Sequence, residues 1–299
     1  MSQFEPCLDL CELITLSSTQ EESMQQIEQL LAQPQLEGCK RIYLGSSFCG
    51  QAFLKSNDLF QAACRVAQNR GLSVTLTLPI FSQRWLDQGC AGFQYVLSQN
   101  LQVIDEVTVN DLGMLAYVNE VLNTTGLAIG INLGRLINKD TRDPRDPDYP
   151  NMVYTPNMLE RSSEGENYLD RLVATWSTAA EDGQLATRIC GIEFDPTHAA
   201  LKLSDLPQGI TAALHGPLCY MSTAQICEYA SIGVAENRSF RPNMPCAAQC
   251  RFNAVGFWGS SQREFFKLGR TVYFEPPQPA VIGCSSCRLL HSPLKEVLS

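Results

Sequence analysis

The chain is poor in histidine, with three in 299 residues. Imidazole is the usual general base, nucleophile partner and catalytic zinc ligand, so a hydrolytic chemistry has few side chains to draw on. Basic residues are also sparse: Lys plus Arg is 22 against 31 Asp plus Glu, the net charge is -9, and no run of five or more Lys/Arg occurs. Nucleic acid is held by a basic face, so direct nucleic-acid binding is not expected. No apolar run reaches the ~18–20 residues of a membrane span. The first residues, MSQFEPCLDLCEL, have no basic start followed by an apolar stretch, and the chain is expected in the cytoplasm. The motifs GxSxG, HExxH, GxxxxGKS/T and GxGxxG are all missing, which removes the serine-hydrolase, zincin, P-loop and Rossmann chemistries.

What the chain does have is apolar content, 44% of its residues, and thirteen cysteines. That apolar content suffices for a large core, in one α/β domain or two smaller ones. Strand-like runs fall at residues 41–44, 73–78, 103–109, 127–132, 189–194 and 210–214. Between them apolar residues recur at helical spacing, as in Met24, Ile27, Leu30 and Leu31, or Leu59, Ala62, Ala63 and Val66. Such alternation implies parallel strands covered by helices, and six or more units favour a closed, TIM-barrel-like (β/α) fold over an open sheet. Residues 138–156, rich in Pro and Asp, read as a long loop. From Pro217 the rhythm fails. We therefore expect a barrel-like core over 1–216 and an irregular, cysteine-rich segment over 217–299 packed on the same domain. Gly126, Gly130 and Gly134 are assigned to strand packing.

Cys219, Cys227, Cys246 and Cys250 are separated by seven, eighteen and three residues. In a reducing compartment a cluster of thiols reads as metal-binding or catalytic before it reads as disulfides. A 4Fe–4S cluster needs four thiolates, commonly three local ones and one from elsewhere. Chemistry in parallel α/β folds gathers at the carboxyl ends of strands, and Cys49, just past the strand at 41–44, could supply the remote ligand. Zinc takes four thiolates too, usually as two close pairs, but only Cys246 and Cys250 are so spaced. Buried inert thiols are the third possibility. Spacing favours iron–sulfur without deciding it. A second pair, Cys284 and Cys287, could be a redox pair, a zinc half-site, a spare ligand or nothing. Cys7, Cys11, Cys39, Cys64, Cys90 and Cys190 read as core residues. Glu193 and Asp195, at one strand end, and His215, beside the cysteines, are the candidate proton carriers, with structural roles equally open.

The segment from His215 to Cys227, HGPLCYMSTAQIC, followed by Cys246-Ala-Ala-Gln-Cys-Arg251, resembles the peptidase U32 signature HGxLCxxxSGxC and CxxxCR. Ile42-Tyr-Leu-Gly45 and Asp111-Leu-Gly113 are similar to barrel strands of that family. The short chain and the thiol in the YLGSSFC loop are most similar to its small UbiV-type iron–sulfur branch. The resemblance implies a TIM-barrel-like fold holding a 4Fe–4S cluster on residues matching Cys49, Cys227, Cys246 and Cys250. It also implies a larger, UbiU-like partner and a part in oxygen-independent hydroxylation during ubiquinone synthesis, whereas other U32 members hydroxylate RNA or are named as collagen-degrading peptidases. The chain departs from the signature in three ways. Ala-Gln-Ile-Cys stands where SGxC is expected, and the gap before Cys246 is long. Cys219 is retained as in larger members, so it is an alternative ligand. Asn132-Leu-Gly-Arg135 and the loop from Arg142 are not features of that branch.

The expected function is therefore that of an iron–sulfur protein acting on a small molecule with a larger U32 partner. The alternatives are a U32-type peptidase or a non-catalytic iron–sulfur subunit.

Overall fold

The computed structural model describes residues 4–137, 188–195, 201–202, 206, 209–252, 255–258, 264–276, 281–282 and 286–297. The Pro- and Asp-rich stretch at 138–156 and Cys284 lie outside them. In chain order the strands begin with β1 (Glu5–Asp9), β2 (Arg41–Gly45), β3 (Ser73–Leu78), β4 (Ile104–Val109), β5 (Gly130–Leu133), β6 (Ile189–Phe194) and β7 (Leu201–Lys202). They continue with β8 (Thr211–Gly216), β9 (Cys219–Thr223), β10 (Val255–Trp258), β11 (Glu264–Leu268), β12 (Thr271–Phe274), β13 (Val281–Ile282) and β14 (Cys287–His291). The described helices are α1 (Gln20–Leu31), α2 (Gly50–Lys55), α3 (Asn57–Arg70), α4 (Leu86–Gln99), α5 (Leu112–Thr125) and α6 (Leu294–Val297).

Eight strands close a barrel in the order β1, β14, β8, β6, β5, β4, β3, β2, and each neighbouring pair is parallel. The fold is TIM-barrel-like, as the alternation implies. Helix ends are set by local chemistry. Thr19 caps α1 by accepting from the Glu22 amide, and Asp111 caps α5 by accepting from the Met114 amide at 2.9 Å. Gly126 ends α5 in a left-handed turn (φ 68°), with the Leu127 amide reaching back to the Leu122 carbonyl. This closure explains why β5 begins at Gly130 rather than at residue 127, and it makes Gly126 a helix cap instead of a strand-packing residue.

Alternation along the strands sorts two environments. Outward residues such as Ile42, Leu44, Leu76, Val107, Ile131 and Ile192 are fully or almost fully buried against Ile27, Leu59, Val66 and Phe93 of the helices, in one continuous core. Each such side chain contributes about 1.5–3 kcal/mol on leaving water. Many inward residues are polar, beside a small apolar cluster of Cys7, Tyr43, Ala213 and Leu290. Arg288 on β14 reaches across to Glu106 on the opposite wall with two hydrogen bonds of 2.6 and 2.9 Å, and Asn132 donates to the same carboxylate at 2.8 Å. Burial opposes ionisation of Glu106, but Arg288 and Arg41 hold its pKa down at about 2. Barrel lumens are usually filled by branched apolar residues, whereas this one is closed by an ionic network.

β1 and β14 were not expected from sequence, and β14 shows that the chain returns to the barrel after residue 217. The crossover from β8 to β14 carries most of that segment. It is more regular than its composition suggests: β10, β11, β12 and β9 form an antiparallel sheet in that order. Its edge strand β10 leaves Val255 and Trp258 49% and 71% exposed. Among the described residues no helix is long and apolar enough to cross a membrane.

Candidate four-thiol site

Cys49, Cys227, Cys246 and Cys250 line one cavity of about 80 Å³. A water needs roughly 10–15 Å³ by this measure, so the space exceeds that of a single solvent molecule. Cys49 sits at the N-terminal cap of α2, past the carboxyl end of β2. The other three thiols come from the segment between β9 and β10, which is built of short 3-10 turns at Tyr229–Ser231, Glu236–Arg238 and Gln249–Phe252. The turn at Gly269 and Arg270, between β11 and β12, forms another wall. Barrel mouth and crossover sheet therefore meet around the thiols.

Backbone strain concentrates here. The described non-glycine residues with positive φ are Glu12 (71°), Phe240 (53°), Asn243 (60°) and Ala248 (59°). Glu12, Asn243 and Ala248 line the cavity, and Phe240 precedes Arg241, which also lines it. Such conformations cost about 1–3 kcal/mol each, and they persist where the surroundings over-determine a functional geometry.

Burial pushes the Cys49 thiol up to about 11 and the Cys250 thiol up to about 12. At Cys250 the neighbouring Cys49, Cys227 and Cys246 add to the rise, since adjacent thiolates repel. Cys227 is raised as well, chiefly by burial, while the Arg270 guanidinium opposes the rise at both Cys49 and Cys227. Cys49, Cys227 and Cys250 are thus poor thiolates until a cation joins them. Among the described residues no three His, Cys, Asp or Glu side chains are set to hold a single metal ion.

Glu12 gave no signal in the sequence. Its carboxylate accepts from Ser46 Oγ at 2.6 Å and from the Ser47 amide at 2.5 Å, and Ser46 Oγ accepts in turn from the Phe48 and Cys49 amides. It thereby braces the loop that carries Cys49. Burial raises its pKa to about 6 despite these donors.

The other sequence candidates lie elsewhere. Cys219 opens β9 of the antiparallel sheet, fully buried with Phe265 and Phe274, and it is not part of the cavity wall. His215 stands inside the barrel, its Nδ1 3.1 Å from Asp9 and its Nε2 3.0 Å from Glu193, which also accepts from Thr108 at 2.6 Å. Burial and Arg135 oppose a charge on His215, but the two carboxylates prevail and push its pKa up to about 9. Asp195 is bound by Arg135 through both carboxylate oxygens and accepts from the Tyr220 amide. Glu193 and His215 are brought together as a lumen ion network, Asp195 is not joined to them by any hydrogen bond, and none of the three lines the thiol cavity. The reason is strand alternation: positions 193 and 195 both face inward, and a closed barrel makes that face its interior.

An aromatic layer divides the two regions. Phe48 packs on Tyr220 at 4.6 Å and on Tyr273 at 6.0 Å, and Arg135 lies 5.1 Å from the Phe48 and Tyr220 rings. Cys287 is disulfide-bonded, which is compatible with the redox-pair reading of that segment, whereas Cys49, Cys227, Cys246 and Cys250 are free thiols.

In comparisons with known proteins the chain matches no family model, no curated protein and no solved structure. The site is read from its own geometry.

Proposed function

We propose that this chain is an iron–sulfur protein that holds a 4Fe–4S cluster on Cys49, Cys227, Cys246 and Cys250. One observation carries the reading: four free thiols from distant parts of the chain line the same cavity. The donor set fits the group, because each corner iron of a cubane takes one thiolate. Spacing supports a cluster over zinc. Structural zinc usually draws its thiolates as two close pairs, and here only Cys246 and Cys250 are so spaced, whereas a cubane commonly takes three local thiolates and one remote one.

When bound, the cluster would supply one-electron transfer or a coordination point for a substrate oxygen. The chain's own residues do the rest. Glu12 holds the Cys49 loop, Arg270 offsets negative charge at Cys49 and Cys227, and the Phe48–Tyr220–Tyr273 layer separates the cavity from the barrel ions. The U32-like segment around Cys227 and Cys250 supports oxygen-independent hydroxylation of a small molecule, of the ubiquinone-biosynthetic kind, with a larger UbiU-like partner in the cytoplasm. A peptidase role gains nothing from the geometry, since His215 faces Asp9 and Glu193 in the lumen.

Anaerobic reconstitution with iron and sulfide tests the reading. Serine at Cys49, Cys227, Cys246 or Cys250 should abolish the visible absorption of the cluster, and Cys219→Ser should retain it. A colourless protein holding one zinc per chain, or loss of the cluster in Cys219→Ser alone, would overturn the assignment.

A further inference from the structure

Three buried donors at the thiol cavity have no hydrogen-bond partner: Ser82 Oγ, Trp85 Nε1 and Arg270 Nε. An unsatisfied buried donor costs about 1–3 kcal/mol, and folded proteins keep such groups chiefly where water, an ion or a ligand completes them. Indole and guanidinium N–H groups can only donate, so whatever completes them must accept. Ser82 and Trp85 lie in the loop between β3 and α4, while Arg270 lies in the β11–β12 turn. The donors therefore approach from both sides of the mouth.

Each nitrogen donor is held in place by other contacts. A terminal nitrogen of Arg270 donates to the Phe48 carbonyl, which fixes the guanidinium at the cavity wall while its buried Nε has no partner. Arg84 lies 5.0 Å over the Trp85 ring and donates to the Asn243 carbonyl, so the indole is clamped on its face while its N–H remains open. Arg241 adds a second cation to the wall. The one carboxylate there, Glu12, already accepts from Ser46 and Ser47. Positive charge thus exceeds negative charge on the cavity wall, and three donors there are unused.

We propose that the cavity binds, beside the thiols, the oxyanion group of a small-molecule ligand, a carboxylate or a phosphate, through Arg270 Nε, Trp85 Nε1 and Ser82 Oγ. This deepens the iron–sulfur reading by naming the substrate class of the same site, but it does not require the cluster to be present. Two charge-assisted or neutral N–H bonds and one O–H bond would converge on one group, an arrangement suited to oxygen rather than to the softer thiolate sulfur.

The chain has three tryptophans, so its indole N–H groups give three proton resonances, of which the one lost in Trp85→Phe belongs to Trp85. Metal-free and reconstituted protein would each be titrated with acetate and, separately, with inorganic phosphate. The expected result is a saturable movement of the Trp85 resonance in the metal-free protein with at least one of the two anions, the tighter one naming the group. Arg270→Gln should weaken that binding at least tenfold and Ser82→Ala a few-fold. Arg65→Gln, on the exposed face of α3, should leave it unchanged, and the other two indole signals report folding of every variant. If neither anion moves the resonance in either form, the proposal is wrong. It is equally wrong if Arg270→Gln and Ser82→Ala bind the anion as tightly as the parent protein does. Saturable anion binding in a protein that never takes up iron would leave this subsite standing while refuting the cluster.

Discussion

Raising the pH from 6.5 to about 8.5 should weaken the fold, in part through His215. In the unfolded chain its imidazole titrates near 6.5, whereas between Asp9 and Glu193 it keeps its proton up to about 9. A folded-state pKa above the unfolded value contributes stability that is complete below 6.5 and is lost as pH rises through 9. The slope reaches about 1.4 kcal/mol per pH unit mid-window and is smaller at both ends, so the two units remove about 2 kcal/mol. Thiols raised by burial, such as Cys49 and Cys250, ionise at about 8.5 in the unfolded chain and add to the loss at the top of the window. The His215 share is therefore the difference in slope between the parent and a variant without the imidazole. Urea denaturation of the protein at half-unit intervals measures the slope. His215→Gln, which removes the titrating charge, should flatten that slope. It should also destabilise the protein by about 3–5 kcal/mol at pH 6.5, because two carboxylates then remain buried without their cation. A stability that is level from 6.5 to 8.5 in the parent protein, or an equal slope in the variant, would refute the ion network as drawn.

Metal uptake should show the opposite trend. The thiols of Cys49 and Cys250 sit at about 11 and 12, so binding must displace protons, and affinity for a thiophilic ion such as cadmium should rise steeply between pH 6 and 8 by competition titration. Gly45→Ala should destabilise the barrel by on the order of 3 kcal/mol in denaturant melts. Gly45 has φ 122° at the end of β2, and an added Cβ would lie 2.0 Å from the Thr77 carbonyl oxygen. A variant as stable as the parent would mean that the β2–β3 edge can part there at little cost.

Much of the barrel was legible because its outward faces obey simple periodicity. Residues 73–78 and 189–194 alternate apolar with polar or small residues, and α1 and α3 carry apolar residues at helical spacing. β1 and β14 escaped notice for a physical reason. Their inward residues include Glu5, Asp9 and Arg288, which belong to the lumen ions, so neither strand reads as the apolar run that a doubly covered strand usually shows. The cysteine set was legible in part. Cys246 and Cys250 are four apart, with Cys250 on the turn Gln249–Phe252 and Cys246 just before it, but nothing local distinguishes Cys227 from Cys219.

The sequence by itself determined the alternating strands and helices, the acidic balance and a surplus of thiols, because these depend on side-chain chemistry and near-neighbour spacing. Only the tertiary structure decided which thiols share a cavity and which carboxylates face the lumen. Closing eight strands brings Asp9 to His215, 206 residues apart, and folding the crossover back over the mouth brings Arg270 to Phe48, 222 residues apart. Contacts of that range depend on how the barrel closes, and no local pattern encodes them.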